Sequence, residues 1–232
     1  MTDSKSQERN VMSDMLFYAA TELNFRNVHT TGIARGILYR CSHPCVGSES
    51  GRDNIEQLAN MAHIKSVINL CDNEDEIKRY AIAAPWYKKI VDADNAIALS
   101  MQFDFRTGEF TEKLKRGLQF ITMAPPPFLV HCYAGFDRTG IFCAILEALM
   151  GATKKEIGDD YSLSYKSNCD SEFYEFDNQD HGHIILRQLE KLYGTKFTDK
   201  SLQNITEQIL LETVGLSTNE IGLLKRILGQ NR

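Results

Sequence analysis

The chain of 232 residues is 43% hydrophobic and 25% charged, with a formal net charge of -5. That balance suits a globular domain with an ample core and excludes a disordered chain. It also excludes a basic surface for non-specific nucleic-acid binding, and no apolar run approaches the ~18 residues of a membrane span.

Residues 1–10 are polar and lack the apolar core of a signal peptide, so the cytoplasm is the expected location; export as an effector is not legible here. A leader and a helix over 12–23 are expected to precede a single catalytic domain at 24–232. Asn24-Phe25-Arg26-Asn27-Val28 comes next, followed by a strand at 36–42. Arg26 and Arg40 on these pieces read equally well as ion-pair arginines or as ligand contacts. Cys41-Ser42-His43-Pro44-Cys45 offers metal-ligand types, but no second pair follows at ligand spacing, so no metal or other cofactor is expected. The six cysteines are expected to be free thiols.

A polar loop at 47–54 leads into a helix at 55–61, and branched apolar residues at 64–70 read as a strand. The acidic run 72–76 suits the positive end of a helix. Aromatic and branched residues at 86–91 read as another strand, and a long connection over 92–108 separates it from a helix at 111–123. Pro125, Pro126 and Pro127 stop that helix and set the entry to a strand at 128–130.

Residues 128–140, Phe-Leu-Val-His-Cys-Tyr-Ala-Gly-Phe-Asp-Arg-Thr-Gly, then run from an apolar strand through a short loop into a helix that begins near Arg138 and continues with the apolar run 141–146. Unpaired amides and the positive dipole end at a helix start form an anion site, to which successive loop amides add a concave nest. The same environment favours a thiolate on Cys132. Arg138 carries a planar fork of donors that holds two phosphoryl oxygens at once, a geometry lysine lacks. Thr139 places a hydroxyl where it can serve the sulfur as a leaving group. Gly135 and Gly140 are expected to let the backbone turn and approach the anion.

His131-Cys132-x5-Arg138-Thr139-Gly140 after an apolar strand resembles the signature loop of the cysteine-dependent protein tyrosine phosphatase superfamily. The longer form, His-Cys-x-Ala-Gly-x-Asp-Arg-Thr-Gly, is similar to a bacterial branch that includes tyrosine and phosphoinositide phosphatases. Asn24-Phe25-Arg26, Tyr39-Arg40, Asp160-Tyr161-x-x-Ser164 and Val214-Gly215-Leu216-Ser217 extend the likeness over about residues 24–229. Asn27 stands where the branch usually has aspartate, and Asn69-Leu70-Cys71 replaces its Asp-Leu-Arg.

The resemblance implies an α/β fold of the tyrosine phosphatase type, with a short twisted sheet flanked by helices and the loop at the carboxyl end of the 128–130 strand. It implies a metal-independent phosphomonoester hydrolase with a cysteinyl-phosphate intermediate, in which Tyr133, Ala134, Gly135, Phe136, Asp137 and Arg138 bind phosphate and His131 supports them. A carboxylic acid must protonate the leaving oxygen. Asp137 inside the loop is the first choice and Asp104, 28 residues before Cys132, the second; Asp92 and Asp94 are poorer candidates. Members acting on phosphoinositides commonly have lysine where this chain has Phe136, and phenylalanine there offers a face to an aromatic ring. The expected substrate is therefore a phosphotyrosine protein, in a tyrosine or dual-specificity phosphatase. A phosphoinositide or inositol phosphate is the alternative, ahead of an inactive phosphate-binding module and a rhodanese-type sulfur transferase.

Downstream, Thr153 and Glu156 read as a capping box, His181-Gly182-His183 as a solvated helix entrance and 168–180 as a candidate lid. Helices are expected at 202–214 and 216–228, the second opened by the capping box Ser217-x-x-Glu220.

Overall fold

The computed structural model describes residues 20–102, 104, 107–166 and 181–230. Most of the expected N-terminal helix and the candidate lid at 168–180 lie outside these residues. Five strands, β1 (Arg26–Asn27), β2 (Leu38–Cys41), β3 (Ser66–Asn69), β4 (Ala96–Ala98) and β5 (Phe128–His131), form one sheet in the order β1-β2-β5-β3-β4. β1 is antiparallel to β2, and the other pairings are parallel.

The central strand β5 is buried along its whole length, as a parallel strand covered on both faces must be. Its side chains alternate. Phe128 and Val130 enter a large core, and Leu129 enters a smaller one on the opposite face. The smaller core is closed by α1 (Glu49–Met61), α2 (Glu74–Ala81) and α3 (Pro85–Asp92), and the larger by α4 (Gly108–Met123), α5 (Asp137–Met150), α6 (Lys154–Leu163), α7 (Gly182–Tyr193), α8 (Asp199–Glu212) and α9 (Thr218–Leu228). Helix α5 packs against α6, α7 and α8 and is buried almost all round, which its uninterrupted apolar stretch 141–146 requires.

Side-chain caps set several helix starts. Asn73 with Glu76, Thr153 with Glu156 and Ser217 with Glu220 form reciprocal capping boxes, the last two as expected from spacing. Helix α1 begins six residues earlier than expected, because Ser48 caps it.

Residues 86–91 are not a strand. They belong to α3, where Pro85 occupies the first turn and needs no amide partner, and Trp86 and Tyr87 are buried together. β propensity is a weak prior against helical burial. The edge strand of that side is β4, three residues inside the expected long connection.

Candidate active site

Register determines what meets at the sheet's carboxyl edge. Cys41 of β2 and Asn69 of β3 both lie opposite His131 of β5, so the residues just beyond these three strand ends converge. Cys132 opens the loop at that edge and is 3% exposed.

Four of the loop's carbonyls are pulled backwards. The Tyr133 carbonyl accepts from the His43 amide (2.9 Å), and the Cys132 carbonyl faces His131 Nδ1 (3.4 Å). Gly135 O accepts from Asn24 Nδ2 (2.9 Å) and Arg40 Nη2 (2.8 Å), and Phe136 O accepts from the same Arg40 nitrogen at 3.4 Å. In a trans peptide the carbonyl of one residue and the N–H of the next point in opposite directions. The amides of Tyr133, Ala134, Phe136 and Asp137 are therefore turned to the other side, forming a concave array of donors at the start of α5.

Arg26 and Arg40 are ion-pair arginines behind this array. Arg40, 1% exposed, donates to Asp160 Oδ2 (2.7 Å), and Arg26 donates to Asp160 Oδ1 (2.9 Å) and to Ser164 Oγ (3.0 Å). Burial raises the Asp160 pKa, but the two guanidiniums outweigh it and hold the carboxyl below its ordinary value. Nearby Glu147 is pushed well above the ordinary carboxylate range by burial and by Asp160, so it stays neutral. Two cations then face one carboxylate, leaving net positive charge beneath the loop. The expected Asp160-Tyr161-x-x-Ser164 segment thus supports the cradle from α6.

Arg138 lies on the first turn of α5 and donates from Nη1 to the Met101 carbonyl at 3.3 Å. Thr139 is fully buried, and its Oγ1 has no hydrogen-bond partner among the described residues. Buried hydroxyls are normally paired, so a sulfur or an anion on the loop is its natural complement.

The four acids separate by position. Asp137 is the first residue of α5, half-buried, and its Oδ1 accepts from Tyr161 Oη at 3.4 Å. Asp104 is exposed and lies three residues after Met101, whose carbonyl meets Arg138. Asp92 and Asp94 precede β4 and therefore sit at the amino edge of the parallel sheet, opposite the cradle. They are removed as candidates.

Phe136 does not offer a face to a substrate. It is 1% exposed and packs edge-on against Tyr165 at 4.9 Å, which stacks on His181 at 3.9 Å. The expected solvated entrance at His181 is instead part of this stack. The exposed ring on the loop is Tyr133, at 65%.

The two glycines also differ from expectation. Gly140 lies within α5, where a Cβ would come 2.7 Å from the Tyr161 ring, so its role is packing rather than approach to an anion. Gly135 has φ +71°, and a Cβ there would fall 2.4 Å from the Cys41 carbonyl oxygen. Gly135→Ala is expected to lower the urea midpoint and to weaken phosphate binding together, since the loop must leave β2 to fit one methyl group. A variant with wild-type midpoint and phosphate affinity would contradict this.

Sequence reasoning missed Tyr87 and Asn69. Tyr87 Oη meets His131 Nε2 at 2.9 Å, while Asn69 Nδ2 donates to Tyr87 Oη (3.2 Å) and to Asp72 Oδ2 (2.8 Å). The Tyr87 proton is thereby directed to His131 Nε2, which leaves Nδ1 carrying the proton toward the Cys132 carbonyl. Burial, followed by nearby His43, lowers the His131 pKa to about 3 and keeps the ring neutral. No spacing signal links these residues.

The core catalytic domain of the PP-IP phosphatase SIW14 from S. cerevisiae, solved in complex with citrate, is similar to this chain with 17% identity and a TM-score of 0.42, covering 75% of this chain and 96% of that one. No curated protein matches the chain. Among the described residues, no helix is long and apolar enough to cross a membrane. The profile described as "Tyrosine phosphatase family" matches residues 21–228, from the turn before β1 through the cradle to the end of α9, and the chain therefore belongs to that family of phosphatases.

Proposed function

We propose that, among phosphomonoesters, this enzyme hydrolyses phosphotyrosine in proteins, through a cysteinyl-phosphate intermediate and without a metal. The observation that carries the substrate reading is the pairing of a recessed Cys132, 3% exposed, with an exposed Tyr133 ring on the same loop, 65% exposed. A phenyl phosphate projects its phosphoryl group far enough to reach a recessed sulfur, and its ring can pack on Tyr133.

Cys132 thiolate attacks phosphorus as the phosphorus–oxygen ester bond breaks, and Asp137 gives its proton to the departing phenolate oxygen. Arg138 and the inward amides carry the charge on the equatorial oxygens. Water then attacks the phosphocysteine and gives its proton to Asp137, releasing phosphate and the thiolate. The location of Asp137 within the cradle, with its carboxylate held by Tyr161, supports it over Asp104.

Phosphate release from a phosphotyrosine peptide, a phosphoserine peptide and a phosphoinositide panel, all in the presence of a chelator, tests the substrate. The phosphotyrosine peptide is expected to lead. Tyr133→Ala is expected to raise KM for it roughly two- to tenfold with kcat nearly unchanged, the scale of one aromatic pair. Preference for a lipid, or an unmoved KM, would overturn the reading.

The same assay separates the two acids. Asp137→Asn is expected to lower kcat by about 10²- to 10⁴-fold on phenyl phosphate and far less on p-nitrophenyl phosphate, whose leaving group needs little protonation. If Asp104→Asn shows that pattern and Asp137→Asn does not, the acid is Asp104.

A further inference from the structure

His43, Cys71 and His131 stand together where β2, β3 and β5 end. One ring nitrogen from each histidine and the Cys71 sulfur lie within 4.8 Å of one another. This set differs from the Cys41–Cys45 pair, because it draws one donor from beyond β2, one from beyond β3 and one from β5 itself. Two imidazoles and a thiolate suit a borderline-soft cation such as zinc and do not suit magnesium or calcium. Both histidines are buried, and half-buried Cys71 supplies the way in.

Groups that orient such ligands are already present. Asp72 Oδ2 holds His43 Nε2 at 2.8 Å while His43 Nδ1 accepts from the Cys45 amide at 3.1 Å, the Cys71 thiol donates to Asn69 Oδ1 at 3.4 Å, and Tyr87 holds His131, so a metal displaces one of these bonds at each donor. At metal sites a carboxylate or other polar partner on the histidine nitrogen that does not bind the metal fixes the ring's orientation, which Asp72 does here when His43 binds through Nδ1.

We propose that zinc binds His43, Cys71 and His131 and thereby inhibits the enzyme reversibly. The inhibition rests on the reading of Cys132 as nucleophile given above. Cys71 releases its thiol proton to solvent as the metal binds. Each nitrogen of His131 is already engaged, Nε2 with Tyr87 Oη and Nδ1 with the Cys132 carbonyl. Whichever nitrogen takes the metal gives up a bond that holds the end of β5, and the disturbance passes directly to Cys132. The reaction itself uses no metal, so zinc acts as a brake on the hydrolase.

The test uses the full chain as wild type, Cys71→Ser and Cys132→Ser. Each is titrated with zinc against a chromophoric zinc indicator, and with cobalt to record thiolate-to-metal charge-transfer absorption. Zinc inhibition of p-nitrophenyl phosphate hydrolysis, and its reversal by a chelator, is measured in parallel. Wild type and Cys132→Ser are expected to bind one equivalent with similar affinity. Cys71→Ser is expected to bind at least about 100-fold more weakly, since loss of a direct ligand should exceed the roughly 10- to 100-fold cost of losing a partner that only orients one. Its activity without zinc is expected to be unchanged, and the zinc concentration giving half inhibition to rise by the same factor.

Equal inhibition of wild type and Cys71→Ser, or loss of binding confined to Cys132→Ser, would overturn the proposal and assign the metal to Cys132. If wild type fails to turn over any phosphate ester yet binds zinc through Cys71, the metal site stands and the reading of Cys132 falls.

Discussion

Replacing Cys132 by serine is expected to reduce phosphate release by roughly 10⁴-fold or more, the scale seen when a covalent nucleophile is removed. Sulfur attacks as a thiolate without a base at its side, whereas a hydroxyl in the same place needs a general base. The nearby imidazole does not serve as one, since His131 has Nε2 committed to Tyr87 and Nδ1 turned to the Cys132 carbonyl. The substitution exchanges sulfur for oxygen at a buried position and leaves the loop's carbonyl contacts intact, so the variant should fold and still hold a phosphotyrosine peptide. Phosphate release with a chelator present, beside equilibrium binding of the peptide, checks both halves. Retention of more than about 1% of wild-type turnover would exclude a cysteinyl-phosphate route, since the nucleophile accounts for far more than that.

The second large effect is expected at Arg40, which never meets the substrate. It is a positioning residue, bonded to Asp160, to Ser164 and to the carbonyls of Gly135 and Phe136. Arg40→Ala leaves those carbonyls facing a cavity and leaves Asp160 with Arg26 alone. Breaking a buried pair by removing one partner costs about 3–5 kcal/mol. Arg40→Lys keeps the charge but cannot reach a carboxylate and two carbonyls with one ammonium. It should therefore retain more stability than alanine while losing at least about tenfold in kcat/KM, because the amides that face the phosphoryl group are no longer aimed. Urea unfolding and vanadate affinity read the two effects separately. Arg26→Lys supplies the contrast. Arg26 is 15% exposed and bonds Asp160, Ser164 and Asn24 without touching a loop carbonyl, so its loss should fall on stability more than on vanadate affinity. An Arg40→Lys protein with wild-type kcat/KM and vanadate affinity would remove Arg40 from any positioning role.

These two predictions differ in how legible their residues were. Cys132, Arg138 and Thr139 sit in one contiguous stretch at a helix start, so their pattern was visible in the chain itself. The strand before it and the apolar helix after it were equally plain, because period and composition are local. Arg40 was visible as a residue but ambiguous in role, and its partners Asp160 and Gly135 lie 120 and 95 positions away. Tyr87 was misread because aromatic and branched neighbours suggested a strand, whereas burial against the smaller core favours a helix opened by Pro85. Phe136 was given an outward face by its place in the loop, but the loop turns inward there and Tyr165 covers it.

The sequence by itself determined the phosphatase family, the strand–loop–helix around Cys132 and the capping boxes of α6 and α9, since each depends on residues close together in the chain. The tertiary structure alone decided which arginines hold the cradle, which aspartates can approach it and which aromatic ring meets solvent. It also decided that His43, Cys71 and His131 meet. The reason is register. Parallel strands paired in step bring three distant chain segments to one edge of the sheet, and no local pattern encodes which residues then face each other.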